Sequence, residues 1–314
     1  MFSELKRRYD NSAHEKADLI DYAKNLHREL IKISDLGTLL NSSIVKNVTI
    51  NKTGVYIELD SGIKLYINKD DYEEVPMSCL CKGNYEAEET RMVLKILDYY
   101  KKRQNFTVLD VGANVGWYTL NIMKQYPAMN VFSFESVPVS YERLKNNLKL
   151  NNLDINQLIN IGFYKENGEM EFYYDIEGSG ASSLVNLRDK EKINKILVTV
   201  KKLDDWIADN KLDSIDFIKC DVEGSELLVY QGGEDSIKKY HPIVFSEMLR
   251  KWSAKFGYHP NDIINFYRNI GYSCFVFRED RLIPFEQVTE TTIETNYFFL
   301  HKEKHSDIIH DLSK

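Results

Sequence analysis

The chain has 314 residues, 43% hydrophobic and 28% charged, with a formal net charge of −7; that suits one large α/β domain with an attachment, or two modest domains. Its acidic balance leaves no electrostatic footprint for nucleic acid or for an anionic membrane surface, and no apolar run is long enough to span a bilayer. The polar start, MFSELKRRYDNSAHEK, lacks the apolar core of a signal peptide, so a cytoplasmic protein is expected.

The first forty residues predict helix. Leu19, Leu26, Ile33 and Leu40 recur every seven residues, with Ala23 and Leu30 between them. Such a seam fits packing on its own domain or pairing with a second copy in a homodimer. Residues 44–67 change period: IVKNVTI, VYIEL and IKLYI are short β-type runs separated by the turns NKTG and DSG, which predicts a small antiparallel meander. The acidic DDYEEVP and NYEAEET read as a solvated face leading into the helix ETRMVLKILDYYKKR. Cys79, Cys81, Cys220 and Cys274 are few and scattered. The first two are too close for an ordinary structural disulfide, so free thiols are expected.

From Thr107 the pattern alternates. TVLDV, NVFSFE, INQLINI, DFIKCD and PIVFSEM read as strands, with helices such as WYTLNIMKQY, VSYERLKNNLKLN and LDDWIADN between them. This predicts a mainly parallel, doubly wound sheet covered on both faces. GYSCFVFRE and TNYFFLHK add a late antiparallel strand pair. The expected division is a helix and meander over residues 1–84 and the main domain over residues 85–314.

VLDVGANVGWYT places Asp110 at the end of a strand, with Gly112 and Gly116 flanking a tight turn into a helix. Glycine lets the backbone turn sharply and a ligand approach closely. Glu135 closes the second strand, the place from which an acid grips ribose hydroxyls. A dinucleotide turn wants G-x-G-x-x-G, but Asn114 replaces the middle glycine, and Trp117 and Tyr118 crowd the helix start. An acid at Asp110 suits the positive amino group and sulfonium of S-adenosylmethionine better than a phosphate. A NAD(P)-dependent sugar oxidoreductase shares the layout and remains the alternative, as does a non-catalytic assembly protein.

Taken in order, VLDVGANVGWYTL, VFSFESVP, INIGFYKENGE, SGASSL, VKKLDDW, IDFIKCDVEGSE and IVFSEM resemble the motifs of FkbM-type methyltransferases over roughly residues 85–300. The resemblance implies a Rossmann-like class I fold and S-adenosylmethionine-dependent O-methylation. The implied acceptor is a small molecule or glycan: a nucleotide-activated sugar, or a component of a cell-surface polysaccharide. By the same resemblance Asp110, Gly112, Asn114 and Gly116 surround the methionine part of the cofactor, Glu135 holds the ribose, and Asn160 to Gly162 lie by the adenine.

Methyl transfer to oxygen needs an aligned acceptor and a base or metal near the methyl group. In an open α/β sheet the reaction centre lies beyond the carboxyl ends of the strands. Asp221 ends the fourth strand and Glu247 the fifth, so these are the expected catalytic carboxylates; as an alternative, Asp221 caps the following helix. Glu223 is divided between first-turn electrostatics and a substrate contact, and Glu226 reads as a helix start. The three acids suit Mg²⁺ or Mn²⁺, but no metal-ligand spacing stands out, so a divalent metal is the second reading and no ligand is assigned. His259, beyond Glu247, is a second candidate base, whereas His241 enters the fifth strand from the wrong end. EGSGASSL (177–184) reads as a mobile loop, and the resemblance places it where substrate enters, with Ser182 and Ser183 either as hydrogen-bond donors to acceptor hydroxyls or simply as turn residues. Arg250, Lys251 and Trp252 offer either a greeting for an anionic acceptor or a surface turn.

Overall fold

The computed structural model describes residues 6–7, 16–34, 37–70, 75–174, 183–185 and 194–314. Helix α1 (Lys16–Ser34) and the single turn α2 (Gly37–Leu40) open the chain. None of the described α1 side chains, residues 21–34, is buried, and Leu30 and Ile31 are each 51% exposed. The seven-residue seam loses its last member to the rest of the molecule: Leu40 packs against the main core. Strands β1 (Val45–Asn51), β2 (Gly54–Leu59) and β3 (Lys64–Tyr66) form the expected antiparallel meander. Helices α3 (Val75–Lys82) and α4 (Ala87–Asp98) follow.

The alternating part runs β4 (Thr107–Val111), α5 (Trp117–Gln125), β5 (Asn130–Phe134), α6 (Pro138–Leu150) and β6 (Leu158–Ile159). Next come three strands, β7 (Gly162–Phe163), β8 (Gly168–Tyr174) and β9 (Asn194–Lys201), then helix α7 (Leu203–Asp209). The series ends β10 (Phe217–Cys220), α8 (Glu226–Gly232), α9 (Glu234–Tyr240), β11 (Ile243–Glu247), α10 (Arg250–Ser253), α11 (Pro260–Asn269), β12 (Tyr272–Arg278), β13 (Arg281–Pro284), β14 (Asn296–His301) and α12 (Ser306–Leu312). The large sheet has the order β13-β12-β14-β11-β10-β4-β5-β6. From β6 to β11 neighbouring strands are parallel, while β14 lies antiparallel between β11 and β12, as the late strand pair predicts. The separate sheet β7-β9-β8 is missing from the expected strands: β8 lies half-exposed with Glu and Tyr among its apolar residues, although ILVTV in β9 is a β-type run.

Period-two alternation divides the core into two layers. Val108, Phe217, Ile243 and Phe298 face one layer; Leu109, Ile218, Val244 and Phe299 face the other. Every residue of β4 is buried, as expected for a central strand covered on both faces. The meander joins the first layer: Ile57, Leu59 and Leu65 pack in the same cluster as Met92 and Ile96 of α4 and Leu120 of α5. All four cysteines are free. Among the described residues no helix is long and apolar enough to cross a membrane.

Two asparagines one turn apart, Asn147 on α6 and Asn151 just past its end, hold β3 by its backbone. Asn147 accepts from Tyr66 N at 2.9 Å and donates to Val115 O at 2.9 Å. Asn151 accepts from Lys64 N at 2.9 Å and donates to Lys64 O at 2.7 Å. Asn147 is therefore shared between the meander and the β4–α5 turn. Truncation, Asn147→Ala, leaves buried backbone groups unpaired and is expected to cost about 2 kcal/mol. Urea unfolding checks this, and an unchanged midpoint would show that apolar packing alone docks the meander.

Candidate functional site

The strand order reverses between β4 and β10: the chain winds from β4 to β5 and β6 on one side, then returns to β10 and β11 on the other. Ligands of open α/β sheets sit at such a switch point. Here the β4–α5 turn meets the loop leaving β10. Gly112 has φ 76°, and a Cβ placed on it would lie 1.8 Å from the Asp221 carbonyl oxygen. Only glycine permits that approach.

Gly112, Asn114, Glu135 and Gly162 line a cleft with Asp221 and Glu223 on its far wall. Asn114 takes a left-handed φ of 48°, and its N–H donates to Glu135 Oε2 at 2.8 Å; Val137 N donates to Glu135 Oε1 at 2.9 Å. Burial pushes the Glu135 carboxyl up to about 7, against the pull of these two N–H donors. A carboxylate has lone pairs beyond those two bonds, so Glu135 fits a ribose diol. The cleft is narrow, about 60 Å³, so a nucleoside must part its walls. A wider concavity of about 990 Å³, beside Tyr85, Leu94 and Trp117, contains none of these carboxylates; chemistry rather than size locates the site.

Three expected cofactor residues act from behind the cleft. Asp110 is fully buried: its Oδ2 accepts from Thr119 N at 3.0 Å and from Thr119 Oγ1 at 2.6 Å, tying β4 to α5. Its Oδ1 has no hydrogen-bond partner and stands 3.6 Å from Lys219 Nζ. Gly116 (φ 96°) gives room to Leu144, whose Cδ1 would lie 2.4 Å from an added Cβ. Asn160 donates to the carbonyls of Glu135 and Ser136 at 2.7 and 3.1 Å, holding the chain beside the acid.

Beyond β10 the backbone turns through left-handed Glu223 (φ 57°) and Gly224 (φ 97°). Glu226 clamps this turn, accepting from Val222 N at 3.1 Å and Gly224 N at 3.0 Å, so it organises the preceding loop as well as starting α8. Burial raises its carboxyl to about 7, against these donors. Tyr258 donates to Gly224 O at 2.8 Å from the far side.

The turn and the neighbouring end of β11 bring Asp221, Glu223 and Glu247 together. Each offers an oxygen, and the three oxygens lie within 4.8 Å of one another. Asp221 Oδ1 and Glu223 Oε2 are closed off from solvent and have no hydrogen-bond partner. Burial, then the charge of Asp221, drives the carboxyls of Glu223 and Glu247 well above the usual range. At an effective dielectric of about 20, two unit charges at the 4.8 Å limit repel by about 3 kcal/mol, so this cluster demands compensation.

Part of it comes from a residue absent from the expected site. Lys219, buried in β10, donates to Gly112 O at 2.7 Å and stands 3.6 Å from both Asp110 Oδ1 and Asp221 Oδ2, with the Tyr118 ring 5.5 Å away. Burial alone would lower its pKa, but Asp221 and Asp110 outweigh that and hold the ammonium charged. A lysine inside the apolar run FIKC is the available sequence signal. Glu86 also belongs here and corrects the solvated-face reading. Tyr118 donates to its Oε2 at 2.7 Å, and burial raises its carboxyl, with the Tyr118 bond opposing and Asp221 reinforcing the shift.

Two further expectations change. His259 is exposed and caps α11: its Nδ1 accepts from Asn261 N at 3.2 Å while Asp262 accepts from its backbone N–H, so it is a helix cap rather than a base. Ser183 is buried, and its hydroxyl is spent on the Glu223 carbonyl at 3.0 Å, which makes it a brace for the acidic turn rather than a substrate donor. Ser182 lies outside the described residues. Arg250 pairs with Glu290 at 3.0 Å.

A doubly wound, mainly parallel sheet with a glycine turn, a second-strand acid and carboxylates at its switch point is a Rossmann-like class I methyltransferase architecture. The model of the Methyltransferase FkbM domain matches residues 110–274, just over half of the chain, and the chain belongs to that family. It is 30% identical over 173 residues to Methyltransferase sdnD of Sordaria araneosa, covering 46% of this chain and 66% of that protein. It is 28% identical over 145 residues to the 2-O-methyltransferase NoeI of Sinorhizobium fredii, covering 42% and 59%. The chain thus spans less than two thirds of the length of these curated relatives. A crystal structure of Methyltransferase FkbM from Methylobacillus flagellatus covers 62% of this chain and 43% of its own, at 17% identity and a TM-score of 0.39.

A ribose held on Glu135 would make cofactor affinity pH-dependent. With its carboxyl near 7, the ionised form, the one able to accept from two hydroxyls, is the minor form at about pH 6 and dominates at about pH 8. S-adenosylmethionine is expected to bind about tenfold more tightly at the higher pH. Calorimetry should give this slope for the wild type and a weaker, flat profile for Glu135→Gln; equal slopes would remove Glu135 from the ribose.

Proposed function

We propose that this chain is an S-adenosylmethionine-dependent O-methyltransferase acting on a sugar hydroxyl, in a nucleotide-activated sugar or a cell-surface polysaccharide component. The carrying observation is that Asp221 and Glu247, on the ends of adjacent parallel strands, converge beside the glycine turn. Membership of the FkbM family and similarity to a 2-O-methyltransferase support the reading.

Glu135 would hold the ribose of the cofactor, and the glycine turn beside Asp221 its methionine end. S-adenosylmethionine, when bound, supplies an activated methyl group. With an acceptor oxygen held in line by the walls of the cleft, the new O–C bond would form as the S–C bond of the donor breaks, leaving a neutral thioether. The hydroxyl proton passes to Asp221 or Glu247, which act as one unit through their proximity, and from there to solvent. A sugar hydroxyl is a weak acid, so removing a positioned base costs about 10²- to 10⁴-fold. Gly112, Gly162 and the braced turn at Glu223 supply alignment, the larger share of catalysis where the leaving group is already good.

Mass spectrometry of nucleotide sugars and surface glycans, from cells with and without the gene, is expected to differ by one methyl group on one sugar. Complementation with Asp221→Asn or Glu247→Gln should leave at least about a hundredfold less methylated product. Both variants should still bind S-adenosylmethionine in calorimetry. Full methylation by both would dismiss these carboxylates as the base.

A further inference from the structure

Asp221, Glu223 and Glu247 have a second property besides that of bases and walls. The three side chains come from two strand ends and a left-handed turn, and they aim one oxygen each into a space under 4.8 Å across. Two of their oxygens, Asp221 Oδ1 and Glu223 Oε2, are sealed from water and bonded to nothing. Buried carboxylate oxygens are normally satisfied, and an exception points to a partner from outside the chain.

Lys219 does not fill the role. Its ion pairs are with Asp110 and Asp221, and among the described residues it makes none with either glutamate. Its ammonium is already bonded to Gly112 O. One fixed cation thus pairs with two of the carboxylates gathered here, Asp110 and Asp221, and leaves Glu223 and Glu247 without an ion pair among the described residues.

We propose that Asp221, Glu223 and Glu247 form a binding site for one hard divalent cation, Mg²⁺ or Mn²⁺. The donor set is all oxygen and all anionic, with neither imidazole nor thiolate, which selects this class over zinc or copper. Three protein oxygens leave the remaining coordination positions to water and an acceptor hydroxyl. At the carboxyl ends of β10 and β11 the cation stands where an acceptor oxygen must come, and it lowers the cost of removing that oxygen's proton. The ligand spacing escapes sequence inspection because Glu247 is remote in the chain from the DVE run that supplies the other two ligands. The catalytic use of the ion rests on the methyltransferase reading; the site itself does not.

The test is Mn²⁺ binding by the full-length, metal-stripped protein, followed by electron paramagnetic resonance and calorimetry without any acceptor. One Mn²⁺ per chain is expected, displaced by excess Mg²⁺, with affinity falling about tenfold or more in Glu223→Gln and in Glu247→Gln. Circular dichroism confirms that each variant is folded, and either folded variant suffices. No Mn²⁺ bound at millimolar free ion overturns the proposal, as does binding that both variants leave unchanged. S-adenosylmethionine binding is measured in parallel: cofactor without Mn²⁺ defeats the metal site alone, and Mn²⁺ without cofactor defeats the methyltransferase reading alone.

Discussion

The close backbone approach of Gly112 to the exit of β10 governs the geometry of the whole site. Strands β4 and β10 run parallel in register, pairing Val111 with Cys220, so the turn after one and the loop after the other leave the sheet side by side. A Cβ at residue 112 would lie 1.8 Å from Asp221 O, and a larger residue there would push the cleft away from the acidic loop. Lys219 then bolts the two together, with its ammonium on the Gly112 carbonyl and between Asp110 and Asp221. The glycine turn and the acidic loop are therefore one mechanical unit, and that is what an in-line displacement requires of donor and acceptor sites.

Concentrating carboxylates at this point works against stability. Buried acids are disfavoured in their charged form, and like charges within a few ångströms raise one another further. The surroundings offset this with directed donors: backbone N–H groups on Glu135 and Glu226, Tyr118 on Glu86, Thr119 on Asp110. Asp110 Oδ1, Asp221 Oδ1 and Glu223 Oε2 stand outside that network, and Glu223 also sits on strained left-handed backbone. Strain and unmet polarity gathered on one side chain are features of a functional position rather than of a scaffold.

The parallel strands are legible because covered strands read as apolar runs of the right length between helical patterns, and the late antiparallel pair follows from FVF and YFFL. The accessory sheet is not, since GEMEFYY over residues 168–174, lying half-exposed, carries too many polar residues to stand out from loop. Within the site, Gly112, Glu135, Asp221 and Glu223 are placed by their strand ends alone. Asp110 and Asn160 reach the cofactor end of the sheet by position, and each also braces the fold there, Asp110 Oδ2 on Thr119 and the Asn160 amide nitrogen on the Glu135 carbonyl. His259 lies where a base is wanted, but a capping box, His259 with Asp262, accounts for it in full. Position along a strand fixes which end of the sheet a residue reaches, but rotamer and burial decide whether it faces a ligand.

The sequence by itself determined the alternating α/β architecture, the glycine turn, the second-strand acid and the strand-end carboxylates, because each is a local pattern set by period, turn chemistry and strand length. Only the tertiary structure decided that Glu86 and Lys219 close on the same small region as Asp221, Glu223 and Glu247. Neighbouring strands in this sheet are often not neighbours in sequence, and the charge balance of a buried cluster is a property of distances that no local pattern encodes.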